Sequence, residues 1–301
     1  MSSALSFLGL NASQISPVVQ GWYPPTRENW ELIVYFWQFF PLLTAAQWLT
    51  DFYPQGKTSI DSRLNLPGKP AWALMESTGF LTVLYCMLAI PAQTNTGPLP
   101  WANWTMAGAY TLHYLYRALI FPWAQPTMSP IHPFVFLSAA AWNVLNGLSI
   151  GGWVGGYGPA SEADWAGKLY QIEVGLVIWG WGLLANMFHD DDLREIRRSA
   201  LRRQRERAER EGKPVEGVEK LYMLPKNGLF SYVLYAHYLC EWVEWAGFWV
   251  VGGWGCVPAR SFLVNEVSTM LPRALAGKRW YVEKFGEEKV AGRKAVIPGI
   301  L

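Results

Sequence analysis

The chain has 301 residues, 51% of them hydrophobic, with 18 Trp and 14 Tyr and only 16% charged, against roughly 25% charged in a soluble domain. Its net charge of +2 hides an asymmetry, because 19 of the 25 Lys and Arg lie beyond residue 193. These figures argue against an ordinary soluble domain or a nucleic-acid binder and describe an all-α integral membrane protein of several helices. The N-terminal MSSALSFLGLNAS lacks the basic start and apolar core of a signal peptide. Cys86, Cys240 and Cys256 all sit in apolar runs, which argues against a disulfide framework.

Apolar segments near the ~20 residues needed to cross a bilayer occur at 31–49, 72–92, 103–122, 132–154, 169–188, 229–252 and 256–275. Seven spans put the chain ends on opposite sides. Basic residues collect in 50–71, 193–213 and the tail, whereas 93–101 has no charge and 155–168 has one Lys against two acids. That alternation predicts a cytosolic C-terminus and a cytosolic loop 193–221. The chain divides into residues 1–70 with the first span, 71–192 with spans two to five, a charged linker 193–221, and 222–301 with the last two spans and a tail. Sequons at Asn11 and Asn103 fall on the non-cytosolic side, Asn103 against a span.

In chain order, the first ionisable group inside a span is Glu76, in AWALMESTGFLTVLY, with no base near it in sequence. It lies either at the headgroup level or facing a cavity with a partner. The third span contains LHYLYR, where His113 and Arg117 are four apart and Tyr114 points elsewhere. GGWVGGYG (151–158) and GGWG (252–255) fit no nucleotide-loop spacing and read better as helix packing or turns. His132 precedes Pro133 at a span start and reads as interfacial; His113, His189 and His237 share no metal-ligand spacing, so no metal is expected.

The fifth span ends NMFHDDDLREIR, which places Asn186, Asp190, Arg194 and Arg197 on one helical stripe. Such a stripe binds a phosphate-rich ligand, or is a salt-bridged helix end. From Arg194 to Lys220 the charges alternate three and four apart, which predicts a solvated helical extension, or an anionic-lipid contact, broken by Gly212, Pro214 and Gly217. After Tyr222 a long apolar run carries His237, Glu241 and Glu244, where a lipid-facing helix has no ionisable group. Such groups mark a functional face by default.

Together, LMESTGF, LHYLYR, NMFHDDDLREIR, LPKNGLFSYV…AHYLCEWVEWAGF, the Arg273–Tyr281 stretch and RKAVIP resemble the membrane steroid 5α-reductases over roughly residues 70–301. The resemblance implies seven membrane helices enclosing a substrate and cofactor cavity, an endoplasmic-reticulum location, and NADPH-dependent saturation of an enone of a 3-oxo-Δ4-steroid or similar terpenoid. It gives Glu76 and Tyr114 the substrate's ketone oxygen. It gives Arg117, Asn186, Asp190, Arg194, Arg197, Tyr222, His237, Glu241, Arg273 and Tyr281 the NADPH site. The residue types suit the chemistry, since hydride addition to an enone drives charge onto the carbonyl oxygen, which a phenol and a carboxyl in a dry cavity stabilise.

The chain departs from the family pattern in three places. Phe188 stands where a His is usual, with His189 next to it. Ala276, Gly277 and Lys278 replace a run of histidines. The loop QPTMSP after the third span carries no Lys or Arg, so Lys278 or Arg279 is the substitute for its phosphate contacts. The rivals are a polyprenol or enoyl-lipid reductase on the same scaffold and, in a different class, a membrane methyltransferase.

Overall fold

The computed structural model describes residues 16–49, 62–212 and 223–301; Asn11, Tyr222, Pro214 and Gly217 lie outside them. Among these residues seven helices of eleven or more residues follow one another: α1 (Arg27–Trp37), α2 (Gly68–Thr94), α3 (Trp101–Tyr114), α4 (Pro133–Gly152), α5 (Leu169–Glu211), α6 (Ala236–Gly252) and α7 (Val257–Phe285). Wider π-type turns carry α3 on through Leu115–Ile120 and α4 on through Trp153–Tyr157. Among the described residues extended chain appears only as isolated bridges. Among the described residues three helices are long and apolar enough to cross a membrane, namely α2, α4 with its extension, and α5.

The helix limits follow from local chemistry. The first apolar segment is split, with α1 ending at Trp37 and short turns covering Phe40–Trp48. Pro41 supplies no N–H there and its ring clashes with the preceding turn. The segment expected to begin at 229 enters α6 only at Ala236. Ahead of it, Tyr232, Leu234 and Tyr235 bond to Lys294 and Ala295 instead. The tail stretch RKAVIP is thereby folded onto the helix bundle, with Ala295 and Val296 fully buried. α7 runs to Phe285, ten residues past the expected 275, so Arg273 and Tyr281 stand on the helix itself. α5 takes in the charged run as one 43-residue helix, which Gly212 closes at a left-handed φ of 62°.

α5 shows how the bundle sorts its faces. Tyr170, Val177, Trp181, Leu184 and Phe188 point outward, while Gly175, Trp179, Gly182, Asn186 and Asp190 are buried. The outer face is apolar and the inner face carries the polar groups, as expected where lipid is the solvent. Small residues let the backbones close up. A Cβ on Gly182 would sit 2.6 Å from Glu244 Cα, and one on Gly155 would sit 2.9 Å from the Cys86 carbonyl. The glycine-rich 151–158 stretch is thus helix packing: Gly152 lies against the Trp30 ring. Asn103 is buried, its amide donating to the Val154 and Pro159 carbonyls and accepting from Trp165. His132 caps α4 by accepting from the Phe134 N–H.

Candidate active site

Glu76 on α2 and Tyr114 at the end of α3 meet through a residue of α4. The Tyr114 hydroxyl donates to Asn143 Oδ1 at 3.1 Å, and Asn143 Nδ2 donates to Glu76 Oε2 at 3.4 Å and to the Met75 carbonyl at 3.1 Å. The Tyr114 ring packs against Tyr110 at a tilt of 36°, with centroids 4.7 Å apart. Tyr110 is held in turn by Asn146, whose amide donates to its hydroxyl and accepts from Trp37. Gly79, one turn along α2 from Glu76, leaves the space: a Cβ there would lie 3.3 Å from Asn143 Oδ1 and 3.5 Å from Tyr114 Cζ.

A second polar cluster adjoins the first. His113 Nδ1 and Glu244 Oε1 are 2.7 Å apart, and His113 Nε2 lies 4.0 Å from Glu241 Oε1. Asn186 Nδ2 donates to the His237 carbonyl at 2.8 Å and to Glu241 at 3.4 Å. Arg117 faces Asp190 at 3.5 Å and lies over the Phe121 and Trp72 rings. It is also within Coulombic reach of Glu76 and Glu241, which makes it the cation between the two clusters. Arg194 donates to the Tyr116 hydroxyl at 3.1 Å and pairs with Asp191 at 2.7 Å.

The α5 stripe therefore divides. Asn186, Asp190 and Arg194 are buried, whereas Arg197 is exposed and donates to Gln125 Oε1 at 3.0 Å. The loop that carries no base of its own is reached by three from elsewhere. Lys69 donates to the Gln125 carbonyl and Arg198 to the Ala124 carbonyl, beside Arg197. Arg273 and Tyr281 stand on the C-terminal half of α7, where Tyr281 lies 6.4 Å from the Tyr235 ring. The cluster thus holds two bonded groups, Arg117 with Asp190 and Asn186 with Glu241 and the His237 carbonyl, with Arg194 bonded to Tyr116 and Asp191 beside them and Arg197 bonded to Gln125.

The cluster keeps unused capacity. Asp190 Oδ2, Arg194 Nε, His237 Nδ1 and Glu244 Oε2 are buried without a hydrogen-bond partner among the described residues, the Asp190 oxygen having Arg117 there as an ionic neighbour. Such orphans are uncommon in a finished core. Guanidinium, imidazole, carboxylate and amide groups together match the phosphates and hydroxyls of a dinucleotide, so the donor set fits that kind of cofactor. The departures have local reasons. Phe188 faces outward, which turns His189 inward to accept from the Leu229 N–H at 3.0 Å and to meet the Ala185 carbonyl. Gly277 is packed directly under the Tyr235 hydroxyl, where a larger residue has no room.

Two residues escaped the sequence reading. Asn143 shares WNVLNG with Asn146, two amides three apart in an apolar span, a weak signal because neutral polar residues also serve helix packing. Glu266 on α7 is within Coulombic reach of Glu76, Glu241 and Arg117. A carboxyl inside an apolar run is the stronger signal of the two.

The sequence profile of the 3-oxo-5-alpha-steroid 4-dehydrogenase family matches residues 128–301. An uncharacterised protein of Schizosaccharomyces pombe is 34% identical over 82% of this chain and 91% of its own length. The steroid 5-alpha-reductase DET2 of Solanum lycopersicum is 31% identical over 86% of this chain and 91% of its own. The 3-oxo-5-alpha-steroid 4-dehydrogenase 1 of Rattus norvegicus is 28% identical over 90% and 95%.

Proposed function

The chain belongs to the 3-oxo-5-alpha-steroid 4-dehydrogenase family, and from that membership we propose that it saturates the carbon–carbon double bond of a 3-oxo-Δ4-steroid or similar terpenoid enone, using NADPH. The observation that carries this reading is the Glu76–Asn143–Tyr114 unit, a carboxyl and a phenol joined across three helices beside a cluster with unused polar atoms. When bound, NADPH supplies the hydride. Arg117, Asn186, Asp190, Arg194, Arg197, His237, Glu241, Arg273, Tyr281 and Tyr222 are the residues proposed to hold it.

Charge that builds on the ketone oxygen as the β-carbon is reduced is met by Tyr114 and Glu76. Their preorganisation by Tyr110, Asn143 and the close α2–α4 packing is what makes such donors effective. Tyr110, Trp245, Phe248 and Phe262 pack together as a fully buried aromatic core against Tyr114. Arg117 balances the carboxylates Glu241 and Asp190.

We place all seven helices in the membrane, with the site inside the bundle, the C-terminus cytosolic and the endoplasmic reticulum as the membrane. In support, the helices fall on the seven apolar segments, and α6 with 17 residues is about 25 Å long at 1.5 Å per residue. Membranes bearing the protein, supplied with NADPH and a panel of steroid, terpenoid and polyprenyl substrates, should yield product two mass units heavier from the 3-oxo-Δ4-steroids or similar enones. Turnover confined to polyprenols, or methyl transfer from S-adenosylmethionine, would overturn the proposal.

A further inference from the structure

We infer that Asn143 holds the hydroxyl proton of Tyr114 in the resting site, so that the substrate oxygen receives this hydrogen bond only as negative charge develops on it. The inference rests on the reduction proposed above. A phenol has one O–H to donate, and here it is directed at Asn143 Oδ1, 3.1 Å away. The amide cannot turn to release it. Its Nδ2 faces two acceptors, the Met75 carbonyl and Glu76 Oε2, and a flip would set oxygen against oxygen at both. Asn143 is only 3% exposed, so no solvent stands ready to replace either bond.

A substrate ketone therefore competes with an amide for one proton. An amide oxygen carries more negative charge than a ketone oxygen and is the better acceptor, so the ground-state ketone does not displace it. An enolate oxygen is a better acceptor than either. As hydride addition proceeds, the Tyr114 hydroxyl rotates about its Cζ–O bond from Asn143 to the substrate oxygen. The proton stays on Tyr114 while the hydride adds, and only hydrogen bonds exchange; the enolate then becomes the saturated ketone by taking one proton from the medium at its α-carbon. An interaction made in the transition state and absent from the ground state raises turnover without tightening substrate binding. Asn143 is in this sense a positioning residue, touching Tyr114 and Glu76 and acting through them.

The test uses the full-length protein and separates binding from turnover. Enone dissociation constants are measured at equilibrium with the oxidised cofactor present, so that no hydride is available, and turnover is measured with NADPH. Tyr114→Phe should lower turnover by about a hundredfold and leave the enone dissociation constant within about twofold of wild type, the pattern of an interaction confined to the transition state. Asn143→Leu, which frees the phenol, should bind the enone severalfold more tightly. In the Tyr114→Phe background that gain in binding should be absent.

Enone binding weakened about tenfold or more by Tyr114→Phe would show that the ketone already takes the proton in the ground state, and would overturn the inference while leaving the reduction intact. Binding and turnover weakened in parallel by Asn143→Leu, in both backgrounds, would reduce Asn143 to a packing residue. Should Asn143→Leu not fold, the Tyr114→Phe pair of measurements decides alone. A wild type inactive on every enone would sink the reduction and the inference together.

Discussion

Gly180 and Gly182 lie two residues apart on α5, and alanine should act with opposite sign at the two. A Cβ on Gly180 meets nothing within 4 Å, so Gly180→Ala adds helix propensity alone, at most about 1 kcal/mol. On Gly182 the same atom would sit 2.6 Å from Glu244 Cα and 2.8 Å from Glu244 Cβ. Carbon contacts prefer 3.5–4.0 Å, so α5 and α6 would have to part by roughly 1 Å. Overpacking of this kind costs typically about 1–3 kcal/mol. The upper end is expected here, because a backbone atom cannot rotate aside and Gly175 and Gly247 close the same seam. Propensity does not offset that loss.

The displacement also reaches the polar cluster, since α6 carries His237, Glu241 and Glu244, and α5 carries Asn186 and Asp190. Thermal unfolding of the purified variants, with and without NADPH, reads both effects. Gly182→Ala should melt several degrees lower, at roughly 2–4 °C per kcal/mol, and gain less from the cofactor, because stabilisation by a ligand follows its affinity. Gly180→Ala should melt at or above wild type with cofactor stabilisation unchanged. Equal melting temperatures for the two variants would refute the close α5–α6 contact on which the site geometry rests.

His113→Leu leaves Glu244 fully buried without its 2.7 Å partner and should cost about 3–5 kcal/mol, with Glu244→Gln restoring part of it; a loss below about 1 kcal/mol in a melting assay would contradict a buried charged pair. Arg197→Ala removes a guanidinium at the exposed edge of the cluster and should raise the Michaelis constant for NADPH more than that for the enone; an unchanged NADPH constant would return Arg197 to a bond with Gln125 and nothing more. Protease added to sealed microsomes should cut within 199–219, and protection of that segment would invert the proposed topology.

How much of this was legible beforehand depended on which groups the lipid penalises. His237, Glu241 and Glu244 stood out because an ionisable side chain in an apolar run demands an explanation, and α6 buries Glu241 and Glu244 against its neighbours. Their partners were not legible. His113 meets Glu244 across 131 residues, and no spacing along a single helix encodes a contact between α3 and α6. The late start of α6 has the same origin, since residues 232–235 bond to a tail some sixty positions away, and tertiary pairing overrides a helical periodicity that the apolar run alone would extend.

Asn143 marks the sharper limit. An amide is neutral, inexpensive enough in a packed span to pass as helix glue, and yet here it decides where the one proton of Tyr114 points. The residues that resemblance singles out, Glu76 and Tyr114, are those the chemistry names. The residue that sets their resting state is visible only once α2, α3 and α4 are brought together, because its role is defined by two acceptors on one helix and a donor on another. A hydrogen-bond direction is a property of the whole neighbourhood, and a side chain's identity alone does not determine it.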